Sequence, residues 1–411
     1  MDETKPKLRA IQAIPYDTGG ERLICLRDTS GVSKKTIILP LRTFFMVSLM
    51  DGAHTLRDIQ AEYVRRFGDV LLIEKIEDLA RQLDEALMLE GARVDAARGA
   101  MAAEFAQAPT RKAAHAGAAY PTRPQAVAEM LQGFFRSRGG PGEIDRSSEE
   151  TDVRGVIAPH IDPKRGGIGY ACAYKALAER CPAEIFIVLG VAHEPTGPLF
   201  VTTEKHFETP LGMVACDRGV TQELARRAGL AKGAHELVHR NEHSIEFQAL
   251  FLRHVFGTLR PARIVPVLCG SISDALKGGA DPMSLPEVAR FVTALRGILE
   301  EYGDRIAVIA SVDFPHVGRQ FGDDLELTPE LTGLVEAEDR ELLGFAERMD
   351  AAGFYAHNRS QDDRRHVCGI DATYVLLSAL PAKRGRLLHY GQSAARETKS
   401  VVSFAAMAFE G

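Results

Sequence analysis

The chain has 411 residues, 45% of them hydrophobic and 26% charged, close to a soluble globular average. Fifty Lys and Arg face 56 Asp and Glu, a net charge of −6, so no basic excess is on offer to a phosphate backbone and no nucleic-acid partner is expected. No apolar run approaches the ~20 residues of a membrane-spanning helix, and the opening MDETKPKLRA lacks the apolar stretch of a signal peptide. A cytoplasmic protein without a membrane partner is expected, of two or three domains at ~150 residues each.

From the N-terminus, ERLICLRD (21–28) and TIILP flank the turn-prone TSGVSKK, which predicts a hairpin. HTLRDIQAEYVRRFG (54–68) carries Leu56, Ile59, Tyr63 and Val64 at helical spacing and closes on Gly68. IEKIEDLARQLDEALMLEG (73–91) repeats the pattern with Ile76, Leu79, Leu83 and Leu87 and closes on Gly91. A hairpin with short helices predicts a small winged-helix-like α+β domain over 1–91. The helix 54–68 mixes Arg57, Arg65 and Arg66 with Asp58 and Glu62, the texture of a solvated face. Residues 92–113 are rich in Ala and short of large apolar side chains, as in a connector.

From 114 onward short apolar runs recur: RGVIAPH (154–160), EIFIVLGVAH (184–193), RIVPVLCGS (263–271), RIAVIASVDF (305–314), RLLHYGQS (386–393) and VVSFAAMAF (401–409). Helical patterns lie between them at 124–137, 220–230, 244–257 and 285–303. Strands that read as continuous apolar runs, alternating with helices, predict an α/β domain over 114–411 with a buried, largely parallel sheet. Neither GxGxxG after the first strand nor GxxxxGK[ST] is present, so nucleotide-binding readings have no support. The six cysteines, Cys25, Cys172, Cys181, Cys216, Cys269 and Cys368, form no CxxC pair. They are expected as reduced thiols, each by default a small buried hydrophobe.

In such a sheet, ligands bind beyond the carboxyl ends of the strands. His160 and His193 each follow an apolar run, and both are expected to end adjacent parallel strands. Asp313 follows a third run, with His316 three residues on. His243 and Glu246 stand at i, i+3 near a helix start in NEHSIEFQ, and Cys368 lies in HVCGID before the apolar ATYVLLSAL. Singly, each has a plain structural reading: a hydrogen-bonded histidine, a buried thiol, a helix capped by Asn241 with acids favoured in its first turn. Together they point to a metal or acid–base site. Asp362 and Asp363 fall in a charged loop expected to be solvated, and His366 is a reserve candidate.

The ordered set HAGAAYP (115–121), VIAPH, FIVLGVAH, FETPLG (207–212), NEHSIEFQ, IVPVLCG, SVDFPHVG (311–318), HVCGIDA and the closing VVSFAAMAF resembles the MEMO family, in bacteria AmmeMemoRadiSam system protein B. The resemblance implies a fold related to class III (LigB-type) extradiol dioxygenases. It implies a metal held by His160, His193 and Cys368, with Asp313 and His316 as catalytic groups beside it and His243 and Glu246 lining or supporting the pocket. Iron or copper is the implied ion, with zinc as a third option, because a thiolate in place of a carboxylate softens the site. The chain departs from the family in continuing APH with IDPKRGGIGY and in replacing a second histidine by Glu194. Residues 1–91, through KPKLRAIQ, the LRD hairpin and MDGAHTLRDI, resemble the PqqD-like winged-helix modules, which implies recruitment of a peptide or of a radical-SAM partner. The implied activity is a dioxygenase-like non-haem metal oxidoreductase acting on a small molecule or a modified peptide. The alternative is a non-catalytic metal- or peptide-binding protein using the same pocket.

Overall fold

The computed structural model describes residues 4–411 apart from 19, 146, 148–150, 232, 234, 258, 277–280, 362–363 and 396–397. Asp362 and Asp363 therefore lie outside the described residues. The chain divides into two units, Met1–Gln107 and Ala108–Gly411.

In the first unit, β1 (Gln12–Thr18), β2 (Glu21–Arg27) and β3 (Thr36–Pro40) form an antiparallel meander. The hairpin expected from the sequence is β2–β3; β1 is an added strand. Helices α1 (Leu41–Ser48), α2 (Leu56–Phe67), α3 (Ile73–Glu85) and α4 (Ala92–Gln107) follow. Thr55 and Asp58 form a reciprocal capping box at the start of α2, and Gly68 ends it in the left-handed conformation at φ 72°. Helix α3 stops well short of Gly91. Leu89 bridges to Leu8 and the N–H of Arg9 donates to Met88 O at 3.0 Å, so the chain after Glu85 is drawn into pairing with residues 7–9. Leu26, Val47, Ile59, Ile76, Leu83 and Met88 are fully buried and form the core. The stretch expected as a connector begins with α4, a continuous helix grouped with this unit.

The second unit opens with β4 (Thr110–Arg111), α5 (Pro124–Arg136), β5 (Val153–Ala158), α6 (Pro163–Arg180) and β6 (Ile185–Val191). Three short strands, β7 (Phe200–Thr202), β8 (His206–Thr209) and β9 (Gly212–Val214), lead to α7 (Arg218–Ala228) and α8 (His243–Phe256). Then come β10 (Arg263–Cys269), α9 (Ile272–Ala275), α10 (Pro286–Tyr302), β11 (Ile306–Ser311) and β12 (His316–Gly318). Helices α11 (Pro329–Glu347), α12 (Ala351–Ser360) and α13 (Ile370–Ala379) precede the long strands β13 (Arg384–Ala395) and β14 (Ser400–Glu410).

The large sheet runs β12-β14-β5-β11-β6-β10-β7, with β13 on β14. Its parallel part is the central β5-β11-β6-β10; β7, β12, β13 and β14 pair antiparallel, so the sheet is mixed rather than largely parallel. β11 lies between β5 and β6, which corrects the expectation that His160 and His193 end adjacent strands. The apolar runs are buried on both faces, as central strands require. Ile157, Ile187, Val265 and Val308 pack on one side, against α10 and α13. Val156, Val188, Ile264 and Ile309 pack on the other, against α6 and α8. The register aligns the strand ends: Ser311 pairs with Ala158 and with Gly190, and Cys269 with Val191. Whatever follows these residues emerges along one edge.

Candidate metal centre

His160 follows β5, His193 follows β6, and His243 is the first residue of α8. One ring nitrogen of each lies within 4.8 Å of the others. The His193 and His243 rings stack at 4.6 Å, and the His160 ring meets them edge-on at 5.0 and 5.3 Å.

Neighbouring acceptors set the tautomers. His160 is buried, with Nδ1 2.9 Å from Ser311 O. A carbonyl only accepts, so the proton lies on Nδ1 and the lone pair on Nε2. His193 places Nδ1 3.1 Å from both carboxylate oxygens of Glu242, whose Oε2 also accepts the His193 backbone N–H at 2.9 Å. His243 Nδ1 lies 3.2 Å from Glu242 Oε1. A carboxylate behind an imidazole fixes its orientation and raises its basicity toward a metal. Glu242 caps α8, its side chain accepting the Ser244 N–H at 2.9 Å, in place of the expected Asn241.

Electrostatics keep two of the rings neutral. Burial pushes the His160 pKa down to about 3, helped by the neighbouring His193. Burial also carries His243 well below its ordinary value. For His193, burial is outweighed by Glu242, which raises the pKa. Glu242 is correspondingly held well below the usual carboxylate range: burial opposes this, and the His193 hydrogen bond and charge overcome it.

Cys368, the expected third ligand, is not one of the trio but touches it, with Sγ 3.4 Å from His160 Nε2 and 3.6 Å from Asp313 O. Burial and Asp313 push its thiol well above 9, so without an ion it is protonated. Gly369 permits this approach, since a Cβ there would lie 2.5 Å from Asp313 O. Asp313 is buried and accepts the His160 N–H at Oδ1 (3.0 Å); burial raises its carboxyl to about 6. His316 sits on β12 with Nδ1 3.3 Å from His366 O, its pKa lowered by burial. His366 itself is half-exposed and lines the cleft described below.

Glu246 is not at the pocket. Its fully buried carboxylate is taken by Arg111, by the Tyr120 hydroxyl and by the N–H groups of Ala114 and His115. The acid that supports the histidines is Glu242, which the sequence shows only as an acid at a helix start. Its signal is its place beside His243 and just before α8. Asp162 caps α6, while Lys164 and Arg165 are exposed. Cys269 is the buried last residue of β10, as expected of a packed strand-end thiol.

A cavity of about 320 Å³ opens beside His193 and Cys368, lined further by Cys269, Ser271, Asp274 and Asp371. It adjoins a second of about 480 Å³ walled by residues 194–197 and Leu199.

Fold and site together define an α/β protein with a histidine-rich pocket at the carboxyl ends of its central parallel strands. Residues 111–408 match the family model described as Memo-like protein. A MEMO1 family protein of Aquifex aeolicus is 29% identical over 408 residues, 98% of this chain and 100% of its own length. One from Methanopyrus kandleri is 31% identical over 311 residues, 73% of this chain and 98% of its own. A third, from Thermus thermophilus, is 28% identical over 359 residues, 86% of this chain and 98% of its own. The chain belongs to the Memo-like family.

Proposed function

We propose that the second unit binds one transition-metal ion through His160, His193 and His243, with the Cys368 thiolate beside His160 as a further donor, and that the ion serves redox chemistry on a small molecule admitted by the cleft. The observation that carries this reading is the convergence of three imidazoles from separate parts of the chain, each with Nδ1 against an acceptor. Imidazole suits zinc, copper and iron, and a thiolate shifts preference toward the softer ions, so iron or copper is favoured. Such an ion supplies a redox couple and Lewis acidity when bound. The chain's own groups do the rest. Asp313 holds the His160 backbone in place, Glu242 orients His193, and His316, with Nδ1 held by His366 O, keeps Nε2 available to carry a proton.

Metal analysis of protein purified without chelators tests the assignment. The wild type should carry close to one ion per chain, and His160→Ala, His193→Ala and His243→Ala should each lose most of it. Full occupancy in His243→Ala would return the site to His160, His193 and Cys368. Wild-type protein without bound metal would sink the reading. Loaded protein that consumes no O₂ with any small-molecule reductant would reduce the role to metal binding.

A further inference from the structure

The segment 111–120 contributes nothing to the donor set, yet its side chains converge on the loop that leads into His243. Arg111 is fully buried. Its Nε donates to His239 O at 3.0 Å, its Nη2 to Glu242 O at 2.7 Å and its Nη1 to the Glu246 carboxylate. Glu246 in turn accepts the N–H of Ala114 (3.1 Å) and of His115 (2.9 Å) and the Tyr120 hydroxyl. His115 Nε2 lies 2.7 Å from Asn241 O, and its ring meets those of His243 and Phe247 edge-on at 5.6 and 5.7 Å. Three carbonyls of one short loop, those of residues 239, 241 and 242, are thus held by donors from this single strap.

The loop matters because of what its next atoms do. The side chain of residue 242 fixes the His193 ring and backbone, and residue 243 is itself one of the trio. A buried ion pair is weak evidence for stability, since desolvating both ions offsets their attraction. What a fully satisfied one does supply is a fixed direction for the groups around it.

We propose that Arg111 and His115 are positioning residues of the histidine centre, locking residues 239–242 and through them the orientation of Glu242, His193 and His243. The consequence for metal affinity rests on the function proposed above; the orientation belongs to the metal-free protein and is read there.

Three variants separate the two claims. His115→Phe keeps a ring against His243 and Phe247 and deletes the donor to Asn241 O, and His115→Gln restores a donor. Arg111→Met combined with Glu246→Gln removes the ion pair without leaving a lone buried charge. Ring ¹⁵N signals of the histidines report the metal-free protein; Co²⁺ affinity and its visible spectrum report the loaded one. His115→Phe should keep the wild-type far-UV circular dichroism, shift the His193 and His243 ring signals, alter the cobalt spectrum and weaken Co²⁺ binding by about 10–100-fold, the usual effect of removing support behind a metal-binding histidine. His115→Gln should recover most of that loss. Unchanged ring signals in His115→Phe overturn the inference whether or not cobalt binds, even if the double variant fails to fold. Shifted signals in a protein that takes up no cobalt uphold the positioning role and reject the metal site.

Discussion

Asp339 on α11 is fully buried, and its carboxylate accepts from Ser403 Oγ at 2.6 Å, Tyr390 Oη at 2.8 Å and Arg365 Nη1 at 2.9 Å. Burial raises its pKa to about 6 against the pull of those three partners. The folded chain therefore holds a proton that the unfolded chain releases near pH 4. The stabilisation is fully present below that value and is lost as pH rises through 6, on the order of 3 kcal/mol in all. Asp339→Asn keeps a neutral side chain at every pH. Melting curves should show the wild type losing more stability than the variant between pH 4 and pH 7; parallel losses would refute the assignment. At this scale the sequence is legible where chemistry follows an apolar run, as at His160 and His193. It is silent where a partner lies far along the chain: nothing near Arg111 announces Glu246, 135 residues away.

Among the elements, α6 sets how closely the first histidine is backed. Its Gly169 faces the chain just before His160: a Cβ there would lie 2.8 Å from Pro159 Cγ and 3.3 Å from the Phe404 ring. Gly169→Ala should cost about 1–3 kcal/mol through overpacking and should weaken metal binding by displacing Pro159 and His160. A variant with unchanged melting temperature and metal content would show the contact to be slack. The four central strands of the second unit are readable from period alone, because β5, β6, β10 and β11 are buried on both faces and show as unbroken apolar runs. Their order is not readable. Periodicity reports which faces are buried, not which strand lies beside which, and so β11 between β5 and β6 could not be foreseen. The end of α3 is hidden for a related reason, since Leu87 continues the helical spacing while the bridge from Leu8 to Leu89 draws the following backbone away.

For the whole molecule, the composition change places the start of the second domain at 114, but β4 pairs with β8 and Arg111 is buried in the second unit. A chain beginning at Ala108 should fold and keep its histidine centre. One beginning at residue 114 leaves the buried Glu246 without its cation, a loss of about 3–5 kcal/mol. Comparing the urea midpoints of the two truncated chains checks this, and equal midpoints would show that Arg111 carries no weight. The sheet also has a history in time. Strand β5 needs β14 along its outer edge, and Arg154 donates to the carbonyl of Gly411, 257 residues later in the chain. A nascent chain therefore has β5 long before the neighbour that covers that edge exists, and pairings so distant in sequence close slowly. Until then the strand's unpaired amides and carbonyls are open to other chains, so chaperone capture during synthesis should concentrate on this edge.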